Sequence, residues 1–397
     1  MSQHLSERVL NMATSATLAM AAKARELRAE GKDIIGLSLG EPDFNTPDFV
    51  KQAAKEAIDQ NYSSYSPVDG YADLKDAIIK KFQRDNNLTY GTNGIVVSTG
   101  AKQSLANVAM AVINSGDEVI LPAPYWVSYS EIVKLAEGVP VEVQTSIEND
   151  FKMTAKQLED AITPKTKMLW YSSPCNPSGS VYSKEELEAI AAVLRKHPNI
   201  IIVSDEIYEH INFGEGHTSI ASIEGMFDRT VTVNGVSKAF AMTGWRIGYI
   251  GAPDWIARAC NKIQGQITSG ANSIAQRATI AALEEPVSSI QFMIDKFQER
   301  RDLVLSLLGE IEGFQLNVPE GAFYVFPNIS YFFGKTIKGK KIENASEFAL
   351  FLLEEANVAT VTGEAFGNPN CIRISYAASE ESLKEAISRI KAAVSNS

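Results

Sequence analysis

Between residues 95 and 250, short apolar runs alternate with amphipathic segments, and no other feature constrains the fold as tightly. The first run begins at Ile95, and others follow at Glu118–Leu121, Val139–Val143, Lys167–Tyr171, Ile200–Ser204, Thr230–Asn234 and Ile247–Ile250. Between them, helical spacing predicts helices over Ser128–Glu137, Ala155–Ile162 and Lys184–Lys196. Strands that alternate with helices at this spacing build an α/β fold, a mostly parallel, doubly wound sheet with helices on both faces. Such sheets bind ligands beyond the carboxyl ends of their strands. Here the unusual residues cluster at those ends: Gly100 and Lys102, Trp126, Asn176, Asp205 and Lys238.

The flanking regions read differently. Leu18, Ala21, Ala22 and Leu27 predict the buried face of a helix that stops at Gly31. A strand over Ile34–Leu39 then leads into the loop Gly40-Glu-Pro-Asp-Phe-Asn-Thr-Pro47, and Pro47 opens a helix running to about Asn61 in its first turn. Leu74, Ile78 and Phe82 mark a helix over Tyr71–Asn87. From residue 290 the pattern turns α+β: helix Ile290–Leu308, strand Gly321–Phe326, helix Ala345–Glu355, strand Cys371–Ser375 and helix Glu380–Val394. The resulting division is an N-terminal arm at 1–48, a large domain at 49–289 and a small domain at 290–397.

A chain of 397 residues exceeds one ordinary core. Its net charge of −11 argues against a nucleic-acid partner, since a polyanion needs a positive surface. Cys175, Cys260 and Cys371 are too few and too irregularly spaced for a disulfide framework or a metal centre. No apolar run nears the ~18 residues of a membrane span. Ala16–Ala22 lacks a preceding positive cluster and continues into Lys23-Ala-Arg-Glu-Leu-Arg28, so a signal peptide is not expected. These features predict a cytoplasmic protein without a membrane or metal partner.

Four charged residues stand in apolar surroundings. Lys238 follows Ser237 at the end of a strand, and a desolvated lysine amine is a nucleophile toward aldehydes. Asp205 ends the run Ile-Ile-Ile-Val-Ser, Arg246 lies within Gly-Trp-Arg-Ile-Gly, and Arg373 lies between Ile372 and Ile374. Each has an ordinary reading: a surface lysine, a structural ion pair or cap, an arginine paired with a protein carboxylate. Together with Tyr208, they also provide what an aldehyde cofactor with a phosphate tail requires. The turn at Ser98-Thr-Gly-Ala-Lys-Gln opens a helix whose free N–H groups suit a phosphate, although it is neither a Walker loop nor GxGxxG.

Seven motifs, Gly40-Glu-Pro-Asp-Phe, Ser98-Thr-Gly-Ala-Lys-Gln, Pro124-Tyr-Trp-Val-Ser-Tyr, Ser173-Pro-Cys-Asn-Pro-Ser-Gly, Ser204-Asp-Glu-Ile-Tyr, Ser237-Lys-Ala-Phe-Ala-Met-Thr-Gly-Trp-Arg-Ile-Gly-Tyr and Arg373-Ile-Ser-Tyr, occur in this order. With them the chain resembles the fold-type I, class I aminotransferases that depend on pyridoxal phosphate, closest to the bacterial-type aspartate aminotransferases, over about residues 5–394. The resemblance implies a seven-stranded large domain and a small domain completed by the N-terminal arm. It implies Lys238 as the Schiff-base lysine and proton carrier, Asp205 on the pyridine nitrogen, and Tyr208 and Asn176 on the phenolic oxygen. Trp126 would stack on the ring. Ser237, Arg246 and the backbone at Gly100, Ala101 and Lys102 would hold the phosphate, with Tyr65 reaching in from the second subunit of a homodimer. Arg373 and Asn176 would bind the substrate α-carboxylate, with Gly40 on a closing loop.

The implied reaction is ping-pong transamination between L-aspartate and 2-oxoglutarate, giving oxaloacetate and L-glutamate. Lys102 would attract the distal carboxylate, with Ser15 and Thr17 lining that end. Other outcomes of the same fold are a prephenate, aromatic or alanine aminotransferase or a cysteine-conjugate lyase. A non-catalytic, cofactor-sensing regulator would carry a basic DNA-binding region ahead of this fold. Cys175 departs from the asparagine that many relatives carry, which leaves a reactive thiol as a further reading.

Overall fold

The computed structural model describes residues 5–395, so the first four residues of the expected arm and the last two of the chain lie outside it. Seven strands form the main sheet: Ile95–Ser98 (β1), Glu118–Ala123 (β2), Val139–Gln144 (β3), Thr166–Ser172 (β4), Ile201–Asp205 (β5), Thr230–Gly235 (β6) and Gly248–Gly251 (β7). Their spatial order is β1-β7-β6-β5-β4-β2-β3. β3, β2, β4, β5 and β6 run parallel to one another, and β7 is antiparallel to both β6 and β1.

Apart from the edge strand β3, the sheet is buried on both faces, which explains why its strands read as continuous apolar runs. Side chains alternate across it with the two-residue period of a strand. Val119, Trp170, Val203 and Val231 share one core with Leu105, Val108 and Ile256. Ile120, Leu169 and Ile202 share the opposite core with Leu158, Leu187, Ile190 and Leu194. Each such fully buried side chain contributes about 1.5–3 kcal/mol. Helix Lys184–Arg195 begins at a capping box, in which the Ser183 hydroxyl accepts from Glu186 N and the Glu186 carboxylate accepts from Ser183 N.

A separate core gathers Phe297, Val304 and Leu308 of helix Gln291–Gly309, Phe348 and Leu352 of helix Ala345–Glu355, and Ile387 and Ile390 of helix Glu380–Val394. Leu37 and Tyr208 also belong to it. Ile35–Gly36 pairs in parallel with Val358–Ala359, so the N-terminal segment completes the C-terminal part. Tyr324–Val325, Val361–Thr362 and Ile372–Ser375 form a three-stranded antiparallel sheet.

Several sequence expectations need correction. Ile34–Leu39 is strand only at Ile35–Gly36, and Gly321–Phe326 only at Tyr324–Val325, where Ala322 at φ 57° interrupts the extended backbone. The helix from Ser128 ends at Leu135, because Glu137 turns to φ 64°. Pro47 stands at the N-cap, one position ahead of helix Asp48–Asp59. In helix Ala16–Ala29 the buried residues are Ala21, Ala24 and Leu27, whereas Leu18 is exposed. Helices Asp254–Ile267 and Ser273–Glu284 were not expected. Their buried faces include Gln264, which donates to Val68 O and Val97 O, and Gln276, which accepts from Tyr71 N.

Candidate active site

A cavity of about 310 Å³ opens beyond the carboxyl ends of β4, β5 and β6, within the size range of small-molecule sites. Lys238 and Asp205 both line it. β6 ends at Gly235, and the three residues that follow bring Lys238 to the cavity floor. Lys238 Nζ donates to Gly40 O at 2.6 Å. Burial lowers its pKa to about 8, with the Arg373 charge acting in the same direction and Glu41 against it. At neutral pH the free amine is therefore far more populated than on a surface lysine.

Asp205, the last residue of β5, is 4% exposed. Its Oδ2 accepts from the Tyr129 hydroxyl at 2.7 Å and its Oδ1 from Ile207 N at 3.3 Å. Burial pushes its pKa up to about 6, and these two hydrogen bonds restrain the rise. The carboxylate thus lacks a positive partner that would make its ionised form comfortable.

At the far end of the cavity, Arg246 takes a left-handed conformation (φ 59°) and donates from Nη1 to Thr243 O at 2.8 Å. Gly100 is at φ 82°, and a Cβ there would overlap Arg246 Nη2, so only glycine lets the guanidinium lie against the N-terminus of helix Ala101–Val112. Ser237, Ala101 and Lys102 line the same end. Free N–H groups, a hydroxyl and a cation form a cradle for a phosphate.

Arg373 projects from strand Ile372–Ser375 and is 1% exposed. Its Nη1 donates to Asn176 Oδ1 at 2.9 Å and its Nη2 to Ser38 O at 2.6 Å, while Nε has no partner. The guanidinium lies over Tyr324, 4.6 Å from the ring centroid. Tyr208 is buried, and its hydroxyl shares a hydrogen bond of 2.7 Å with the Tyr324 hydroxyl. Trp126 forms one wall, edge-on to Tyr129, with Lys102 Nζ 4.7 Å from its ring. Burial, and then the Arg246 charge, lower the Lys102 pKa. Ser15, Thr17 and Leu18 close the outer end, and the buried Thr17 hydroxyl has no partner.

The cavity thus assembles four cations (Lys102, Lys238, Arg246, Arg373) and two carboxylates (Glu41, Asp205). Among the described residues, Lys238, Asp205, Arg246 and Arg373 form no ion pair with protein; their polar partners are neutral groups. Asp205 and Arg373 are buried, Lys238 is half-buried and Arg246 is exposed; a buried charge without an ion pair is costly and marks a place where a ligand can supply the partner. Among the described residues, the ion-pair readings of Asp205, Arg246 and Arg373 therefore do not hold, and Lys238 is half-buried rather than a surface lysine.

Tyr65, expected in the cavity of a second subunit, is 99% exposed and lies outside the cavity of its own chain. Cys175 is buried, and burial raises its thiol pKa, which disfavours the thiolate that a reactive cysteine needs. The sequence reading missed Tyr129, Tyr324, Glu41 and Thr243, all of which line the cavity. Tyr129, Glu41 and Thr243 lie inside the motifs quoted above, and only Tyr324 lies outside them.

The sheet with a lysine beyond its strand ends fits an α/β aminotransferase, and the chain belongs to that family: the family model for class I and II aminotransferases matches residues 32–390. Among curated relatives, the chain is 51% identical to the aspartate/prephenate aminotransferase of Cereibacter sphaeroides, over 98% of both chains. Among solved structures, it resembles the aspartate aminotransferase of Rhizobium meliloti with a TM-score of 0.96 and 45% identity, covering 99% of each chain. It also resembles that of Thermus thermophilus with maleate, at TM-score 0.93 and 42% identity, covering 98% of this chain and all of the other.

Proposed function

We propose that this enzyme is a pyridoxal-phosphate-dependent aspartate aminotransferase that converts L-aspartate and 2-oxoglutarate into oxaloacetate and L-glutamate. The observation that carries this reading is the set of four unpaired charges in one cavity, because the cofactor and a dicarboxylic substrate supply their counter-charges. Asp205 would hold the protonated ring nitrogen. Arg246, Ser237 and the helix N-terminus behind Gly100 would hold the phosphate. Tyr208 and Asn176 would reach the phenolic oxygen, and Trp126 would cover the ring face.

When bound, pyridoxal phosphate supplies an aldehyde that captures the amino group and a ring that takes up the electron pair released at Cα. The chain's own residues do the rest. Lys238 Nζ, poised near neutrality, would take the proton from substrate Cα and deliver it to C4′ of the bound cofactor, and would carry a proton the opposite way, from C4′ to Cα of the second substrate, in the other half of the cycle. Arg373 binds the α-carboxylate through its planar fork, which fixes the direction of the Cα–H bond. Lys102, Ser15 and Thr17 face the distal carboxylate. A single flexible ammonium there selects less strictly than a second fork, so prephenate as an acceptor is the second reading, favoured by the name of the Cereibacter relative. Residues 49–289 would carry the cofactor, and 1–48 with 290–397 would close Gly40 and Arg373 over the substrate. A second copy of the chain would deliver Tyr65, and the compartment would be the cytoplasm; among the described residues no helix is long and apolar enough to cross a membrane.

The test is optical and kinetic. Protein loaded with pyridoxal phosphate should absorb in the near-visible range, and L-aspartate should shift that band faster than L-alanine or L-phenylalanine. Comparing prephenate with 2-oxoglutarate as acceptor separates the two readings. Lys238→Ala should lower turnover by at least about 10³-fold while still binding cofactor. Full turnover in that variant would sink the assignment.

A further inference from the structure

Tyr324 touches Tyr208, Arg373 and Gly40 at once, yet the proposed chemistry gives it no task. It is fully buried, and its strand pairs with the strand that carries Arg373, in a register that sets Tyr324 opposite Ser375. Its ring lies under the Arg373 guanidinium. Its hydroxyl meets the Tyr208 hydroxyl at 2.7 Å and faces Gly40, where any Cβ would overlap it. Gly40 in turn accepts the Lys238 ammonium through its carbonyl. The Tyr208 hydroxyl is the only hydrogen-bond partner of the Tyr324 hydroxyl among the described residues.

A phenol has a single proton to give. If Tyr208 gives its proton to Tyr324, it offers only lone pairs to the cavity. If Tyr324 gives its proton to Tyr208, the Tyr208 proton is free to point inward. The Arg373 charge decides between these arrangements. A cation over the Tyr324 ring favours loss of its proton and makes it the stronger donor of the two. The Arg373 charge also reaches Tyr208, but its guanidinium lies over the Tyr324 ring at 4.6 Å, whereas the cation over the Tyr208 ring is Lys238, farther off at 5.8 Å from the centroid, with Asp205 nearby.

We propose that Tyr324 is a positioning residue that donates to Tyr208, holds the Tyr208 proton toward the cofactor, and reports to it whether Arg373 has bound a carboxylate. When a substrate carboxylate neutralises Arg373, Tyr324 becomes a weaker donor and Tyr208 in turn a weaker acid. Occupancy of the substrate subsite is thereby passed to the cofactor through two phenols, without movement of the backbone. The inference rests on the cofactor assignment made above.

The experiment uses the loaded holoenzyme and reads the pH midpoint of its near-visible band, with and without the unreactive dicarboxylate maleate, in the wild type, Tyr324→Phe, Tyr208→Phe and the double variant. Thermal unfolding verifies that each variant is folded. The expected result is a midpoint displaced by about half a pH unit or more in Tyr324→Phe, with a maleate-induced shift smaller than in the wild type. In the Tyr208→Phe background, the second substitution should then add nothing. A Tyr324→Phe enzyme with unchanged midpoint and maleate shift overturns the proposal, as does an effect of Tyr324→Phe that persists undiminished without the Tyr208 hydroxyl. If Tyr324→Phe does not fold, the proposal still has to meet the maleate shift of Tyr208→Phe, which must fall below that of the wild type. A wild-type protein that takes up no chromophore overturns the cofactor assignment together with this inference.

Discussion

Asp205 carries a cost that the fold alone does not justify. Its pKa of about 6 lies above the ordinary 3.8 because burial disfavours the ionised form. The folded chain therefore holds that proton more tightly than the unfolded chain does. The resulting stabilisation is complete below the unfolded pKa and is lost as pH rises through about 6. In protein stripped of cofactor, Asp205→Asn is expected to raise the unfolding free energy at about pH 8 by on the order of 2 kcal/mol, and by almost nothing near pH 4. Urea unfolding across that range checks this, and a gain independent of pH would show that ionisation is not the cause. Asp205 was legible because an acid directly after Ile-Ile-Ile-Val-Ser has few ordinary explanations. Tyr129 was not, since a tyrosine in an apolar segment reads as core until its hydroxyl is seen 2.7 Å from a carboxylate 76 residues away.

Elements whose signals are local match the sequence reading closely. Helices Ala345–Glu355 and Glu380–Val394 begin and end where their apolar period and caps place them, with Asn344 and Ser379 accepting from Glu347 N and Ser382 N. The same local logic makes helix Lys184–Arg195 sensitive at its start. Ser183→Ala should cost about 1 kcal/mol of stability and leave KM unchanged, as chemical denaturation and steady-state kinetics would reveal. Short strands fare worse. Ile35–Gly36 depends on Val358–Ala359, and Tyr324–Val325 depends on Ile374–Ser375. Their lengths are set by partners far along the chain, so an apolar run alone overstates them.

On the scale of the molecule, a chain of net charge −11 concentrates four cations around one cavity. That local reversal attracts small anions while the remaining surface repels polyanions. The exposed Tyr65 belongs to this scale too. If a second copy completes the site, sedimentation should give about twice the chain mass of 43.3 kDa, and Tyr65→Phe should weaken cofactor binding several-fold. A monomer with full activity, or a Tyr65→Phe protein that binds cofactor like the wild type, would argue that the chain needs no partner at its site.

The sequence by itself determined the doubly wound sheet and the placement of Lys238, Asp205 and Asn176 at strand ends, because strand period, helix caps and the rule of carboxyl-end sites are local or topological. Only the tertiary structure decided that, among the described residues, Lys238, Asp205, Arg246 and Arg373 form no ion pair, and that Tyr129 and Tyr324 stand behind Asp205 and Tyr208. Whether a buried charge is paired depends on every chain segment that packs against it, and those segments come from opposite ends of the sequence. Arg373 and Ser38 are 335 residues apart and share a hydrogen bond.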